Sequence, residues 1–144
     1  MALREYRKKR KFSKTSEPKG NFAKESQSRF VVQEHWASHH HFDLRLEMDG
    51  VLKSWAVPKG VPKKKGIKRL AVAVEDHPVD YINFEGKIPK GQYGAGVVEI
   101  FDRGTYELKE KKKDKLSFKL KGKKLKGEYH MVKIDDSQWL IFKS

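Results

Sequence analysis

An all-β fold, a barrel or a sandwich, is what the sequence predicts. Three observations carry that prediction. Apolar and polar residues alternate with period 2 in several short runs, turn signals built on Gly, Pro and Asp separate those runs, and little of the chain shows the 3.6-residue apolar spacing of a helix. Closure into a barrel would also remove exposed strand edges. At 144 residues, the chain suits one domain with a single core. Its hydrophobic content of 37% against 36% charged residues requires that core to be compact.

Residues 1–28 read as a basic, partly disordered arm, and residues 29–144 as the β domain. The arm lacks apolar periodicity, and its Ser, Lys and Glu residues with Pro18 and Gly20 favour disorder in the absence of a ligand. Tyr6, Arg10, Phe12 and Glu17 stand out in it. Arg29 to Gln33 is a short β-rich run. From His41 the chain alternates: Phe42, Leu44, Leu46 and Met48 share one parity, and His41, Asp43, Arg45 and Glu47 the other. Asp49-Gly50 predicts a two-residue hairpin turn, returning through Val51 to Val57. Pro58 to Pro62 breaks the chain, and Lys63 to Lys68 is a basic loop.

Leu70, Val72 and Val74 predict one face of the next strand, with Arg69, Ala71, Ala73, Glu75 and His77 on the other. Pro78 ends it, because proline cannot donate to a ladder. Residues 80–96 read as loop, with glycines in turn conformations; the piece Gly91 to Gly96 lacks the GK[ST] ending of a phosphate loop. Val97 to Phe101 and Thr105 to Leu108 predict a hairpin around Arg103-Gly104. Leu116 to Leu120, Leu125 to Ile134 and Trp139 to Phe142 supply the remaining strands.

Charge is uneven. Against a net charge of +14, residues 1–29 carry ten Lys/Arg and three acids, residues 59–69 six bases and no acid, and residues 109–126 ten bases and two acids. The remainder is acidic on balance. Basic segments around an acidic middle point to a polyanion such as nucleic acid as partner. The absence of cysteine excludes disulfides and thiolate metal sites and suits a reducing compartment. No apolar run approaches membrane-span length, and no signal-type segment opens the chain, so a cytoplasmic protein without membrane contact is expected.

The stretch His35 to Lys59 carries the chemistry. Side chains at i and i+2 of a strand lie about 7 Å apart, so His41 and Asp43 can converge on one cation. Arg45, one step further, would face an anion held by that cation. A bend at Ala37-Ser38 would fold His35 back as a third ligand. Two histidines and one carboxylate leave coordination positions open for water or substrate. His39 and His40 read as a solvated run. On the predicted strand before Pro78, the two alanines leave space between Arg69 at one end and Glu75 and His77 at the other.

The segments RFVVQEHWASHHHFDLRLEMDGVLKSWAVPKG, RLAVAVEDHPVDY, FEGKIPKGQYGAG and FDRGTY closely resemble the 3′-phosphoesterase domain of bacterial DNA ligase D and its stand-alone archaeal relatives. The resemblance spans essentially the whole chain. It implies a small closed β-barrel of about eight strands with short flanking helices and a flexible basic N-terminal arm. It implies manganese-dependent trimming of DNA or RNA-tipped DNA 3′ ends, with other divalent cations as substitutes and DNA ligase and polymerase repair partners. A terminal ribonucleoside is removed first, then the 3′-phosphate. By motif position, His35, His41 and Asp43 resemble the metal ligands. Arg45 and His77 resemble the phosphate-binding pair, with His77 also a candidate acid. Tyr81, Glu75, Arg69 and Lys59 fall on further active-site positions. In the arm, YRKKRKF…TSEP places Arg10 and Glu17 on functional positions. Lys11 departs from the family, which has an acid there.

Two other functions compete. His41-x-Asp43 with a remote histidine is also the iron-oxygenase facial-triad pattern. A non-catalytic nucleic-acid-binding barrel would account for the lysines but has no need of His, Asp and Arg on one face.

Overall fold

The computed structural model describes residues 3–12, 17 and 28–144. Nine strands form one antiparallel sheet: β1 (Arg29–Trp36), β2 (His40–Met48), β3 (Val51–Val57), β4 (Lys68–His77), β5 (Gly86–Ile88), β6 (Gly96–Lys112), β7 (Lys115–Lys121), β8 (Lys126–Lys133) and β9 (Gln138–Lys143). Their order is β1-β2-β3-β4-β9-β8-β7-β6-β5. Pairing of β1 with β6 closes the ring into an eight-stranded barrel, and β5 is appended to β6. The helix α1 (Arg4–Lys8) and a 3₁₀ helix (Val79–Asn83) flank it.

The barrel interior is filled by alternating residues: Phe30 and Val32 from β1, Leu44 and Leu46 from β2, Trp55 and Val57 from β3, Phe118, Tyr129 and Ile141 from the far side. The predicted Asp49-Gly50 turn is present. Both residues adopt positive φ, +55° and +80°, which matches the right-handed twist of the flanking strands.

Four expectations are corrected. Residues 96–112 form one long strand, with no hairpin at Arg103-Gly104. The first half of β6 pairs with β1 and the second half with β7, so it carries the barrel closure. Gly104 is required for close approach there: a Cβ would lie 2.3 Å from the Lys121 carbonyl oxygen. The loop 80–96 contains the 3₁₀ helix and β5.

The face of β2 bearing Asp43 and Arg45 is covered, although simple alternation predicts a solvated one. Asp43, Arg45 and Glu47 are buried. A second apolar cluster outside the barrel, with Tyr6, Val31, Leu52, Tyr81, Ile82 and Ile88, forms that cover. The arm supplies part of it. Leu3 and Tyr6 are fully buried, so residues 3–12 hold a packed position despite their polar composition.

The last correction concerns β4. Leu52 pairs with His77 but Ser54 with Val74, so β4 carries one extra residue. Alternation therefore slips. Ala71 and Ala73 face the barrel interior, whereas His77 shares the outer face with Leu52. Arg69 does not share a face with His77.

Candidate metal and phosphate site

On the outer face, the strand register brings the predicted ligands together. His35 and His41 are directly paired across β1 and β2. Asp43 follows two residues later on the same face. His35 Nδ1 lies 3.7 Å from Asp43 Oδ2, and His41 Nε2 lies 3.3 Å from the same oxygen. One ligand atom from each residue falls within 4.8 Å of the others.

The hydrogen bonds around this triad fix its tautomers. His35 Nε2 donates to the Gly94 carbonyl at 2.7 Å, and His41 Nδ1 donates to the His39 carbonyl at 2.9 Å. A carbonyl can only accept, so the proton of each neutral ring sits on that nitrogen. The other nitrogens, His35 Nδ1 and His41 Nε2, therefore turn lone pairs toward a carboxylate. Three ligand atoms converge, which is the arrangement of a cation site with oriented imidazoles. A proton competes for the same position: a hydrogen bond from His41 Nε2 to Asp43 raises His41 above the usual histidine range. Burial alone would raise Asp43, but His35, His41 and Arg45 hold its carboxyl far below the usual range.

Arg45 stands beside the triad, with Nη2 3.7 Å from Asp43 Oδ2. Its guanidinium packs 4.8 Å from the centroid of the Tyr81 ring. Gln33 accepts from Arg45 Nε at 2.7 Å. The remaining nitrogen, Nη1, is buried and has no hydrogen-bond partner among the described residues. An unpaired buried guanidinium N–H is costly, and Arg45 lines the metal cavity, so the side chain suits an anion held there.

The opposite wall comes from the arm and β4. Glu17 Oε2 accepts from Arg10 Nε at 3.0 Å and from the Tyr81 hydroxyl at 2.7 Å. Arg10 also reaches Glu75 at 3.2 Å and His77 Nε2 at 3.3 Å. His77 Nδ1 donates to the Glu75 carbonyl, so Nε2 is the acceptor. Burial, with Arg45 and Arg10 nearby, holds His77 well below the usual range and therefore neutral near pH 7. Burial pushes the Tyr81 phenol well up, so it keeps its proton and donates.

These groups line one cavity of about 320 Å³. Among the described residues, its walls carry two arginines against three carboxylates, Asp43, Glu17 and Glu75. A divalent cation would turn that balance positive. The donor set of two imidazoles and one carboxylate fits such a cation and leaves positions open.

Two predicted residues lie elsewhere. Lys59 and Arg69 line a separate cavity of about 450 Å³ with Phe42, Gly60, Lys63 and Phe101. Arg69 Nη1 is engaged with the carbonyls of Lys59 and Gly60, at 2.8 and 3.1 Å. The β4 bulge separates Arg69 from His77, and Lys59 lies in the loop after β3. Lys11 is exposed and does not line the metal cavity.

Residues 33–133 match the family described as the DNA ligase D 3′-phosphoesterase domain. The chain belongs to that family. It is 47% identical over 154 residues to the multifunctional non-homologous end joining protein LigD of Pseudomonas aeruginosa, covering 99% of this chain and 18% of that protein. It is 42% identical over 144 residues to the LigD of Mycobacterium bovis, and 41% identical over 151 residues to that of Mycolicibacterium smegmatis. These alignments cover 96% of this chain and 19% and 20% of those proteins. The chain thus spans about a fifth of the length of the curated relatives it matches. No helix among the described residues is long and apolar enough to cross a membrane.

Three contributors to this phosphoesterase-family site were not anticipated from the sequence. Gln33 is fully buried behind Arg45, Tyr6 sits under Arg10 with its ring centroid 4.0 Å from the guanidinium carbon, and the Gly94 carbonyl orients His35. Continuing the strand reading from Gln33 through His35 would have put Gln33 on the ligand face. Tyr6 stands out in the arm but without a role assigned to it, and nothing in the local sequence marks Gly94.

Proposed function

We propose that this chain is a manganese-dependent 3′-end-healing phosphoesterase. It removes a 3′-terminal ribonucleoside from DNA or an RNA-tipped primer, and then removes the 3′-phosphate to leave a 3′-hydroxyl for repair and ligation. The observation that carries this reading is the buried, unpartnered Nη1 of Arg45 beside three converging metal-ligand atoms. An anion with a bound cation satisfies both at once, and a phosphate ester supplies that pairing.

His35, His41 and Asp43 hold the cation. Bound there, a divalent ion neutralises phosphate charge and lowers the pKa of coordinated water. Arg45 binds two phosphate oxygens through its planar fork and stabilises the charge that develops on them. Gln33 and the Tyr81 ring keep the fork aimed. His77 contacts the phosphate from the other side. In the first step, water adds to phosphorus, the bond to the 5′-oxygen of the departing ribonucleoside breaks, and that oxygen gains a proton. In the second, the bond to the 3′-oxygen breaks in the same way. A bound phosphate offsets Arg10 and Arg45 and makes His77 easier to protonate, which suits it to assist the leaving oxygen. Arg10 and Glu17 close over the outer nucleoside.

End joining as the setting, ligase and polymerase activities as partners and a cytoplasmic location belong to the same proposal. The test is a DNA primer tipped with one 3′-ribonucleotide, incubated anaerobically with and without manganese, with 3′-phosphate and 3′-hydroxyl products resolved. Sequential appearance of both supports the reading. Tight binding without turnover in any divalent metal overturns it.

A further inference from the structure

Beside the metal cavity lies a larger one, of about 1060 Å³. The two are adjacent, with Gly94 and Ile88 lining both. Its walls include Trp36, Lys87, Lys90 and Gln92 and, among the described residues, no carboxylate. Trp36 ends β1 next to the ligand His35, with the opposite side-chain parity, and is 40% exposed. Burying an indole is strongly favourable, so a large exposed one beside a reactive centre calls for an explanation.

Trp36 is also held rigidly. His40 pairs with it across β1 and β2, and the two rings stack at 5.5 Å with an interplanar angle of 16°. Glu34 fixes His40 in turn, through a 2.8 Å contact to its Nε2. The backbone at Gly96 closes against Trp36 from behind, with so little room that a Cβ there would overlap the Trp36 carbonyl oxygen. One side of the indole is therefore occupied by His40, while the indole itself also borders the open cavity. Pairing places Val97 beside Trp36 and Lys87 beside Val97, so a lysine stands in the same cross-strand row as the indole.

An aromatic platform with flanking lysines and no acid matches a nucleotide: the base stacks and the backbone phosphate pairs. Arg10, Glu17 and Tyr81 are tied together by hydrogen bonds on one wall of the metal cavity. Gly94 and Ile88 stand between that cavity and the larger one, so a strand whose 3′ end occupies the first can lay its preceding nucleotide in the second.

We propose that Trp36 is the stacking platform for the base of the nucleotide that remains on the primer, immediately 5′ to the reacting phosphate, and that Lys87 and Lys90 hold the next backbone phosphates. This inference rests on the proposed function for what lies in the metal cavity.

The test uses the full chain with a 3′-phosphate primer carrying 2-aminopurine as its last base. Wild-type protein should quench the 2-aminopurine, and Trp36→Ala should not. In manganese, Trp36→Ala should raise KM for an ordinary 3′-phosphate primer about tenfold, the effect of losing one base–aromatic stack. Trp36→Phe should recover most of that loss. On a primer ending in an abasic nucleotide, Trp36→Ala and wild type should differ less than twofold. Unquenched 2-aminopurine in wild type, or an equal KM penalty on the abasic primer, overturns the platform. The quenching needs no turnover, so wild type that quenches yet releases no phosphate sinks the proposed function and supports the platform.

Discussion

Gln33 accepts a 2.7 Å hydrogen bond from Arg45 Nε, while its own amide donates to the carbonyls of Tyr81 and Phe84, each at 3.0 Å. Every polar atom of that side chain is therefore engaged, and the direction of the Arg45 fork is set by the 3₁₀ helix and the residue that follows it. Replacing Gln33 with Leu removes a charge-linked hydrogen bond worth about 1.5–3 kcal/mol. That predicts a loss of about 10- to 100-fold in kcat/KM for both ester substrates. It also removes a donor from the carbonyls of Tyr81 and Phe84, of which Tyr81 keeps the bond from the Phe84 amide, so the midpoint of thermal unfolding should fall. A Gln33→Leu protein with unchanged kinetics would mean that Arg45 holds its orientation without help.

The metal site gives a second prediction. His41→Ala and Asp43→Asn should each lower manganese affinity by at least about tenfold, read by titration calorimetry, with turnover falling in step. Asp43→Asn is preferred to Asp43→Ala because the carboxylate is buried, and a cavity would confuse ligand loss with unfolding. Chelation of the wild type should abolish turnover, and added manganese should restore it. Normal affinity in both folded variants would remove them as ligands.

The legible part of this protein was its alternation. From Phe42 to Met48 the period-2 pattern placed the core face of β2 correctly, and Asp49-Gly50 fixed the turn that sets its register with β3. Register then brought His35, His41 and Asp43 together, so the triad could be read from spacing and one bend. What alternation could not show was the second layer. Asp43 and Arg45 are polar yet buried because Tyr6, Tyr81 and Ile88 arrive from segments far away in sequence, and no local signal reports a distant cover. The β4 bulge was equally silent. One extra residue reverses the side-chain parity, which separates Arg69 from His77 although simple counting puts them on one face. Gly104 was misread because glycine serves both turns and close approaches.

The depressed His77 predicts a pH effect on stability. Above the ordinary value of 6.5, folded and unfolded chains both carry it neutral, and it contributes no pH dependence. Below 6.5 the unfolded chain takes up a proton that the folded chain refuses, because burial and two arginines oppose it. Stability therefore falls as pH falls, by up to about 1.4 kcal/mol per pH unit from this group, until the folded value is reached. His77→Gln should make the decline in urea midpoint between pH 6.5 and pH 5 shallower in the metal-free protein. An unaltered slope would assign the acid sensitivity to other groups.

The arm supplies the last prediction. Glu17 bridges Arg10 and the Tyr81 hydroxyl, and Arg10 continues to Glu75 and His77. These contacts form the part of the cavity wall to which the proposed function assigns the departing nucleoside. Removing a 3′-phosphate requires a hold on the phosphate alone, whereas removing a ribonucleoside also requires a hold on the sugar beyond the scissile bond. On the proposed function Arg45 would serve both steps, since charge develops on the phosphate oxygens in each. Glu17→Gln keeps the shape of the wall but weakens the pairing with Arg10, so it should slow ribonucleoside removal about tenfold more than phosphate removal. Arg10→Ala should show the same bias with a larger phosphate effect, because it also frees His77 Nε2 and relieves the positive charge beside it. Arg45→Ala should reduce both steps by at least about 100-fold. The two reactions are timed separately, the second from a pre-made 3′-phosphate primer. Equal losses for Glu17→Gln in the two steps would leave the arm as a docking element with no preference for the outer nucleoside.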